Sequence, residues 1–301
     1  MTVSSAADED SIRVDDEFLR RWPLPQPDAD GDKEERGRVL IIAGSRQMPG
    51  ALILASNAAL HAGAGKLTVA TAASVARLVA AAIPEARVIE LPETEAGGIE
   101  QGAIEDVKEL LSRADAVLVG PGMQDEPAAC DFCARLIAHL STSVLVLDAA
   151  AMDVVNQIPE IEKKFSRPTI LTPHAGELAH LTRRHKDEVT ARPANSAANA
   201  ARQWNAVVVL KGAETVIAAP AGSLWRHKGG NVGLAVSGSG DVLAGVVAGL
   251  AARGAPAEQA AVWGVALHAR AGERLAERSG PLGYLARDLS AEVPALMGAL
   301  A

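Results

Sequence analysis

Residues 231–245 read N-V-G-L-A-V-S-G-S-G-D-V-L-A-G, and this stretch sets the terms for the rest of the chain. Gly238 and Gly240 flank Ser239, Asp241 follows at once, and Leu243, Val246, Val247 and Leu250 recur with helical spacing. The segment reads as a glycine-rich loop feeding a helix. Such a helix start points free backbone N–H groups and the positive end of the helix dipole at one spot, where an anion such as phosphate binds. Asp241 is a poor ligand for phosphate because like charges repel, but it can take a proton from a hydroxyl that attacks phosphorus. The alternative reading of a lone Gly-Asp pair is a helix N-cap, which aspartate favours.

Outward from this loop, β-branched runs alternate with alanine- and leucine-rich segments. Residues 39–43, 67–71, 116–119, 144–147, 169–171 and 207–210 read as buried strands. Near-continuous apolar runs separated by helical stretches imply right-handed βαβ crossovers and a parallel sheet covered on both faces. After Val209 the rhythm changes: residues 215–219 and 223–226 are strand-like and joined by Pro220-Ala221-Gly222, a hairpin signal. The expected fold is α/β, a three-layer α/β/α sandwich whose mostly parallel central sheet has an antiparallel edge. Residues 1–36, rich in Asp, Glu and Pro, read as a partly ordered leader, and residues 37–301 as one domain.

Composition narrows the function classes. The 301 residues are 49% hydrophobic, ample for a large core, and carry a net charge of −8. That charge argues against a broad nucleic-acid face. The acidic start M-T-V-S-S-A-A-D-E-D leads into no apolar signal core, and no apolar run approaches the roughly 20 residues needed to cross a bilayer. The expectation is a soluble, cytoplasmic protein with no membrane or nucleic-acid partner. The C-D-F-C pair, Cys130 and Cys133, lacks the second pair that a structural zinc needs and falls in an amphipathic helix over residues 127–140.

In parallel sheets, binding sites form beyond the carboxyl ends of the strands, so the residues just after each strand carry the most information. The first strand runs into G-S-R-Q-M-P-G-A, residues 44–51, and a later one into G-P-G-M, residues 120–123. Both turns let backbone approach a ligand closely, or serve tight strand-to-helix geometry. L-T-P-H-A-G-E-L, residues 171–178, places His174 and Glu177 where a strand gives way to a helix, able to cap or to bind. L-K-G-A-E-T, residues 210–215, sets Lys211 at a buried strand end, facing nucleotide phosphate or solvent. No G-x-x-x-x-G-K-[ST] run is present, and Gly63-Ala64-Gly65 precedes a strand instead of following one, the wrong context for a dinucleotide fingerprint.

Together these segments, with L-K-G-A-E-T-V-I and G-S-G-D-V-L-A-G, resemble the ADP/ATP-dependent NAD(P)H-hydrate dehydratase family of the ribokinase-like superfamily, from Gly37 onward. The resemblance implies that Ala51, Gly122 and His174 contact the hydrated nicotinamide nucleotide and that Asp241 is the catalytic, substrate-contacting aspartate. It implies an adenine-nucleotide site at Lys211, Gly212, Ala213, Glu214, Thr215 and Gly240. The backbone N–H groups of Ser237, Gly238, Ser239 and Gly240 would form the anion hole. The implied reaction is a metabolite repair: ADP, or ATP, with Mg²⁺ phosphorylates the C6 hydroxyl of NADHX or NADPHX, and loss of phosphate restores NADH or NADPH. The choice of ADP is inherited from bacterial-looking relatives. A homotetramer is expected on the same ground, and a separate epimerase chain, since 36 residues before Gly37 are too few to hold that domain.

Some positions depart from the family pattern. Asp148 is followed by Ala149, Ala150 and Ala151, where the family often has D-A-D-A-L, so the second aspartate is absent. Val232 stands where proline is frequent, and V-S-G-S replaces T-G-G-T. Two competing readings use the same residues: a ribokinase-like kinase for a hydroxymethylpyrimidine, sugar or similar alcohol, and a nucleotide-binding module without catalysis. Asp241 argues against the second, because phosphate binding alone does not call for a carboxylate there.

Overall fold

A computed structural model describes residues 11–28, 32–140, 143–165 and 167–300. Its strands are β1 (Ile12–Arg13), β2 (Arg38–Ile42), β3 (Lys66–Ala72), β4 (Arg87–Leu91), β5 (Ala116–Val119), β6 (Val144–Leu147), β7 (Thr169–Leu171), β8 (Val207–Leu210), β9 (Thr215–Ala218) and β10 (Leu224–His227). They form one sheet in the order β1-β10-β9-β8-β7-β6-β5-β2-β3-β4. The β8/β9 and β9/β10 pairs are antiparallel, and every other pair is parallel.

The alternation of side chains along a strand divides the core in two. Val39, Ile41, Ala116 and Leu118 face a cluster shared with the helices Pro49–His61, Ser239–Ala252, Ala257–Ser279 and Ala286–Leu300. Leu40, Ile42, Val117 and Val119 face the opposite cluster, with Ile104–Leu111, Glu126–His139 and Pro193–Trp204. Strands buried on both faces need apolar residues at every position, which is why they read as unbroken V/I/L runs.

On the first face, small residues let two helices nearly touch. A Cβ on Gly245 would lie 2.1 Å from the Ala55 carbonyl oxygen, and one on Gly249 would lie 2.4 Å from that of Ala59. The Ser239–Ala252 helix therefore sits directly on Pro49–His61, which fixes where its N-terminus emerges. Gly63 and Gly65 serve packing at the opposite end of the sheet, where a Cβ on Gly65 would meet the Lys33 carbonyl oxygen at 2.0 Å.

Two strands depart from the sequence reading. β4, R-V-I-E-L, lies at the margin next to β3, and its charged residues mask its strand character. β1 comes from the segment set aside as a leader. It pairs parallel with β10 beyond the antiparallel strands, so the hairpin is not the outermost part of the sheet. Val14, Leu19 and Leu24 are buried in the same cluster as the helices above, and Trp22 stacks on Trp225 with centroids 5.9 Å apart. Trp263 Nε1 donates to the Trp22 carbonyl at 2.8 Å, and Gln259 Nε2 to the Pro23 carbonyl at 3.0 Å. Residues 1–10 and 29–31 of the leader lie outside the described residues.

Candidate active site

The carboxyl ends of β6, β7 and β8 and the start of the Ser239–Ala252 helix converge on one place. Gly238, with φ +89°, turns the chain into that helix, a conformation that suits glycine. Asp241 sits in its first turn. A Cβ on Gly238 would lie 2.4 Å from Leu54 Cδ1 and 3.8 Å from Asp241 Oδ2, so a side chain there would push the Leu54 tip aside while strained by the positive φ.

Two carboxylates flank one ammonium, and the charge of Asp241 acts on it from farther off. Lys211 Nζ lies 3.3 Å from Asp148 Oδ1 and 3.8 Å from Glu177 Oε2, and a Cβ on Gly240 would be 3.5 Å from it. The Thr172 hydroxyl donates to the same Asp148 oxygen at 2.6 Å. Burial works against the Lys211 charge, but Asp148 and Glu177 overcome it and hold its pKa above the ordinary lysine value. For Asp241 the balance runs the other way. Burial pushes its carboxyl up to about 6, Asp148 pushes in the same direction, and Lys211 partly opposes. A carboxylate with that proton affinity suits a general base at neutral pH.

His174 caps the Ala175–Thr182 helix. Its Nδ1 accepts from the N–H groups of Gly176 (3.0 Å) and Glu177 (3.1 Å), while Glu177 Oε2 accepts from His174 N at 2.6 Å. An accepting Nδ1 carries no hydrogen, so a neutral ring holds its proton on Nε2 as a donor. His174 thus caps the helix, the first of the two roles the sequence leaves open, and its Nε2 lies 3.6 Å from Glu177 Oε1.

A cavity of about 830 Å³ opens beside this cluster. His174, Lys211, Gly212, Ala213, Thr215, Ser239 and Gly240 line it. Glu214 does not; its carboxylate pairs with Arg226 at 3.4 Å. Ser237, Gly238 and Asp241 sit in the adjoining loop and first helical turn, outside the lining. Ala51 and Gly122 belong to a separate contact, where a Cβ on Gly122 (φ +65°) would lie 2.6 Å from the Ala51 Cβ and 2.7 Å from the Met48 carbonyl oxygen. Both are small because the turn after β5 lies on the start of the Pro49–His61 helix.

Sequence reasoning passed over several residues here. Asp148 follows β6 directly and was within reach of the strand-end rule, yet it was weighed only for its missing neighbour at Ala150. Thr172 and His268 gave no local signal. His268 stands within the Ala257–Ser279 helix and meets the cavity only through tertiary packing. The Cys130 and Cys133 thiols are buried, and burial pushes Cys130 up to about 12 and Cys133 higher still, which suits packing and not thiolate chemistry.

Comparison with known proteins places this geometry. The family model described as NAD(P)H-hydrate dehydratase matches residues 39–295. The chain is 48% identical over 282 residues to the ADP-dependent (S)-NAD(P)H-hydrate dehydratase of Xanthomonas campestris, covering 94% of each. It is 38% identical to the bifunctional NAD(P)H-hydrate repair enzyme Nnr of Moorella thermoacetica, covering 89% of this chain but only 51% of that protein. The ADP/ATP-dependent NAD(P)H-hydrate dehydratase of Bacillus subtilis, co-crystallized with ATP/Mg²⁺, superposes with a TM-score of 0.82 at 29% identity over 97% of this chain and 99% of the other. The fold is ribokinase-like. With its sheet order, its Gly238–Asp241 helix start and a family match spanning all but the ends of the chain, the protein belongs to the NAD(P)H-hydrate dehydratase family.

Proposed function

We propose that this protein dehydrates the S epimers of NADHX and NADPHX, using ADP as phosphoryl donor, and that Asp241 is its base. The observation that carries this reading is the pairing of a half-buried, proton-avid Asp241 with a glycine-rich helix start, beside the Lys211 ammonium and the cavity it lines. Asp241 accepts the proton of the C6 hydroxyl as its oxygen attacks the terminal phosphorus of ADP. The N–H groups of Ser237, Gly238 and Gly240, with Lys211, take up the charge on the phosphoryl oxygens, whereas the Ser239 N–H, expected among them, is engaged by the Val236 carbonyl at 3.2 Å. AMP departs. The nicotinamide ring nitrogen then drives out phosphate, a ring proton is lost, and the double bond of the reduced cofactor returns.

In this reading Lys211, Gly212, Ala213, Glu214, Thr215 and Gly240 hold the adenine nucleotide, and Ala51, Gly122 and His174 hold the hydrated cofactor. A Mg²⁺ borne by the nucleotide would neutralise phosphate charge. Among the described residues no group of three or more His, Cys, Asp or Glu could hold a metal. The residues fit a phosphate-carried ion, with Asp148 and Glu177 as the carboxylates beside Lys211, because Mg²⁺ keeps several waters and needs few protein ligands. Cytoplasmic location, a homotetramer and a partner epimerase belong to the same proposal. No described helix is long and apolar enough to cross a membrane.

The test is recovery of the near-ultraviolet absorbance of the reduced nicotinamide from purified NADHX, with Mg²⁺ and ADP, ATP or no nucleotide. Recovery dependent on nucleotide, with AMP and phosphate formed in step with ADP use, supports the reading. A stable phosphorylated alcohol as product would instead identify a small-molecule kinase.

A further inference from the structure

One side chain from another helix reaches the first residue of the anion-receiving turn. His268 lines the cavity with Ser239, Gly240 and Lys211. Its Nε2 lies 3.0 Å from the Ser239 carbonyl oxygen and 3.0 Å from Ser239 Oγ. A carbonyl oxygen only accepts, so Nε2 must carry the ring hydrogen. The protonated nitrogen then has no lone pair to offer, and Ser239 Oγ can only accept from it. The hydroxyl hydrogen of Ser239 is left to donate elsewhere. Among the described residues Oγ has no other hydrogen-bond partner, and Ser239 is 5% exposed, so the open direction is the cavity. Burial draws His268 down to about 4, Lys211 adds to this, and the bond to the Ser239 carbonyl opposes, so the ring is neutral at working pH and this pattern persists.

We propose that His268 is a positioning residue that fixes Ser239 Oγ as an acceptor and thereby aims its O–H at the phosphoryl group in transfer. Ser239 then contributes a side-chain donor in addition to the backbone N–H groups. The inference rests on the functional reading above and deepens it: the backbone donors of the helix start are present in any such turn, whereas an aimed hydroxyl favours the form of the phosphoryl group that carries more charge on its oxygens.

The experiment measures kcat and the nucleotide KM separately on the NADHX assay for the wild type, Ser239→Ala, His268→Gln, His268→Phe and the double variant Ser239→Ala/His268→Phe, each checked for folding by thermal melting. Loss of one preorganised donor is expected to lower kcat about 100- to 1,000-fold in Ser239→Ala with a smaller change in KM. His268→Gln, which can keep an N–H near the same point, is expected to retain most of the activity, and His268→Phe to lose about as much as Ser239→Ala. The double variant is expected to be no worse than the worse single one, because both remove the same interaction. Unchanged kcat in folded Ser239→Ala, or additive losses in the double variant, would overturn the inference while the wild type still turns over. An inactive wild type would overturn the functional reading, and this inference with it.

Discussion

Lys211 and Asp148 form a part-buried ion pair at 3.3 Å, across the carboxyl ends of β8 and β6, and the pair sets the charge balance felt by Asp241. Replacing Asp148 with Asn removes a negative neighbour of Asp241 and frees Lys211 to attend to it. Both changes favour the ionised base. The acid limb of the kcat/KM profile, which in the wild type should rise through a pKa of about 6, is expected to move to lower pH. A limb that stays in place or moves up would show that Asp148 does not act on Asp241.

Asp241→Asn should keep nucleotide binding and lose turnover by about 100- to 10,000-fold, the range for removal of a general base. It should also change stability. With the folded pKa raised from 3.8 to about 6, the unfolded chain releases its proton across that window while the folded chain keeps it. Stability therefore falls as pH rises from about 4 to 6, by at most roughly 3 kcal/mol. Chemical denaturation at a series of pH values should show this slope in the wild type and a weaker one in the Asn variant.

His174 offers a way to separate fold from binding. His174→Ala removes the cap on the Ala175–Thr182 helix and should cost about 1 kcal/mol of stability, whereas His174→Asn keeps a capping acceptor and should melt near the wild type. If Nε2–H contacts the substrate, KM for NADHX rises in both. A rise confined to the Ala variant would trace the effect to the lost cap.

Gly245→Ala tests the contact that seats the helix. Ala is favoured over Gly in a helix by up to about 1 kcal/mol, but a Cβ here would lie 2.1 Å from the Ala55 carbonyl oxygen, and backbone cannot yield cheaply. Overpacking, typically about 1–3 kcal/mol, should win, lowering both the melting temperature and activity by shifting Asp241. Gly298→Ala, where a Cβ meets nothing within 4 Å, is the matched control and should be neutral or stabilising.

How far the fold could be read depended on where each strand obtains its stability. β5, β6, β7 and β8 are buried on both faces, so their residues alone mark them, and their observed limits coincide with the apolar runs. β1 is two residues long and exists only because Val14 and its neighbours meet β10 more than 200 positions away, a contact no local window contains. The site divides similarly. Asp241 and Lys211 stand at chain features with a local signature, a glycine turn and a strand end. Ala51 and Gly122 came only through family resemblance, and their mutual contact explains their size without testing their role. His268 is one polar residue on a long helix, and nothing in its sequence neighbourhood distinguishes a solvated histidine from one that holds Ser239.

The join between β1 and β10 has a consequence beyond the hydrogen bonds it adds. Without Ile12 and Arg13, β10 would present an open row of N–H and C=O groups, a template on which a strand of another molecule could form. Val14 extends the cover, donating its N–H to the Arg226 carbonyl at 2.8 Å and accepting from His227 Nδ1 at 3.1 Å, and His227 lines the cavity beside Lys211. A chain trimmed to begin at the family-matched region would therefore lose its safeguard against aggregation and loosen one wall of that cavity together.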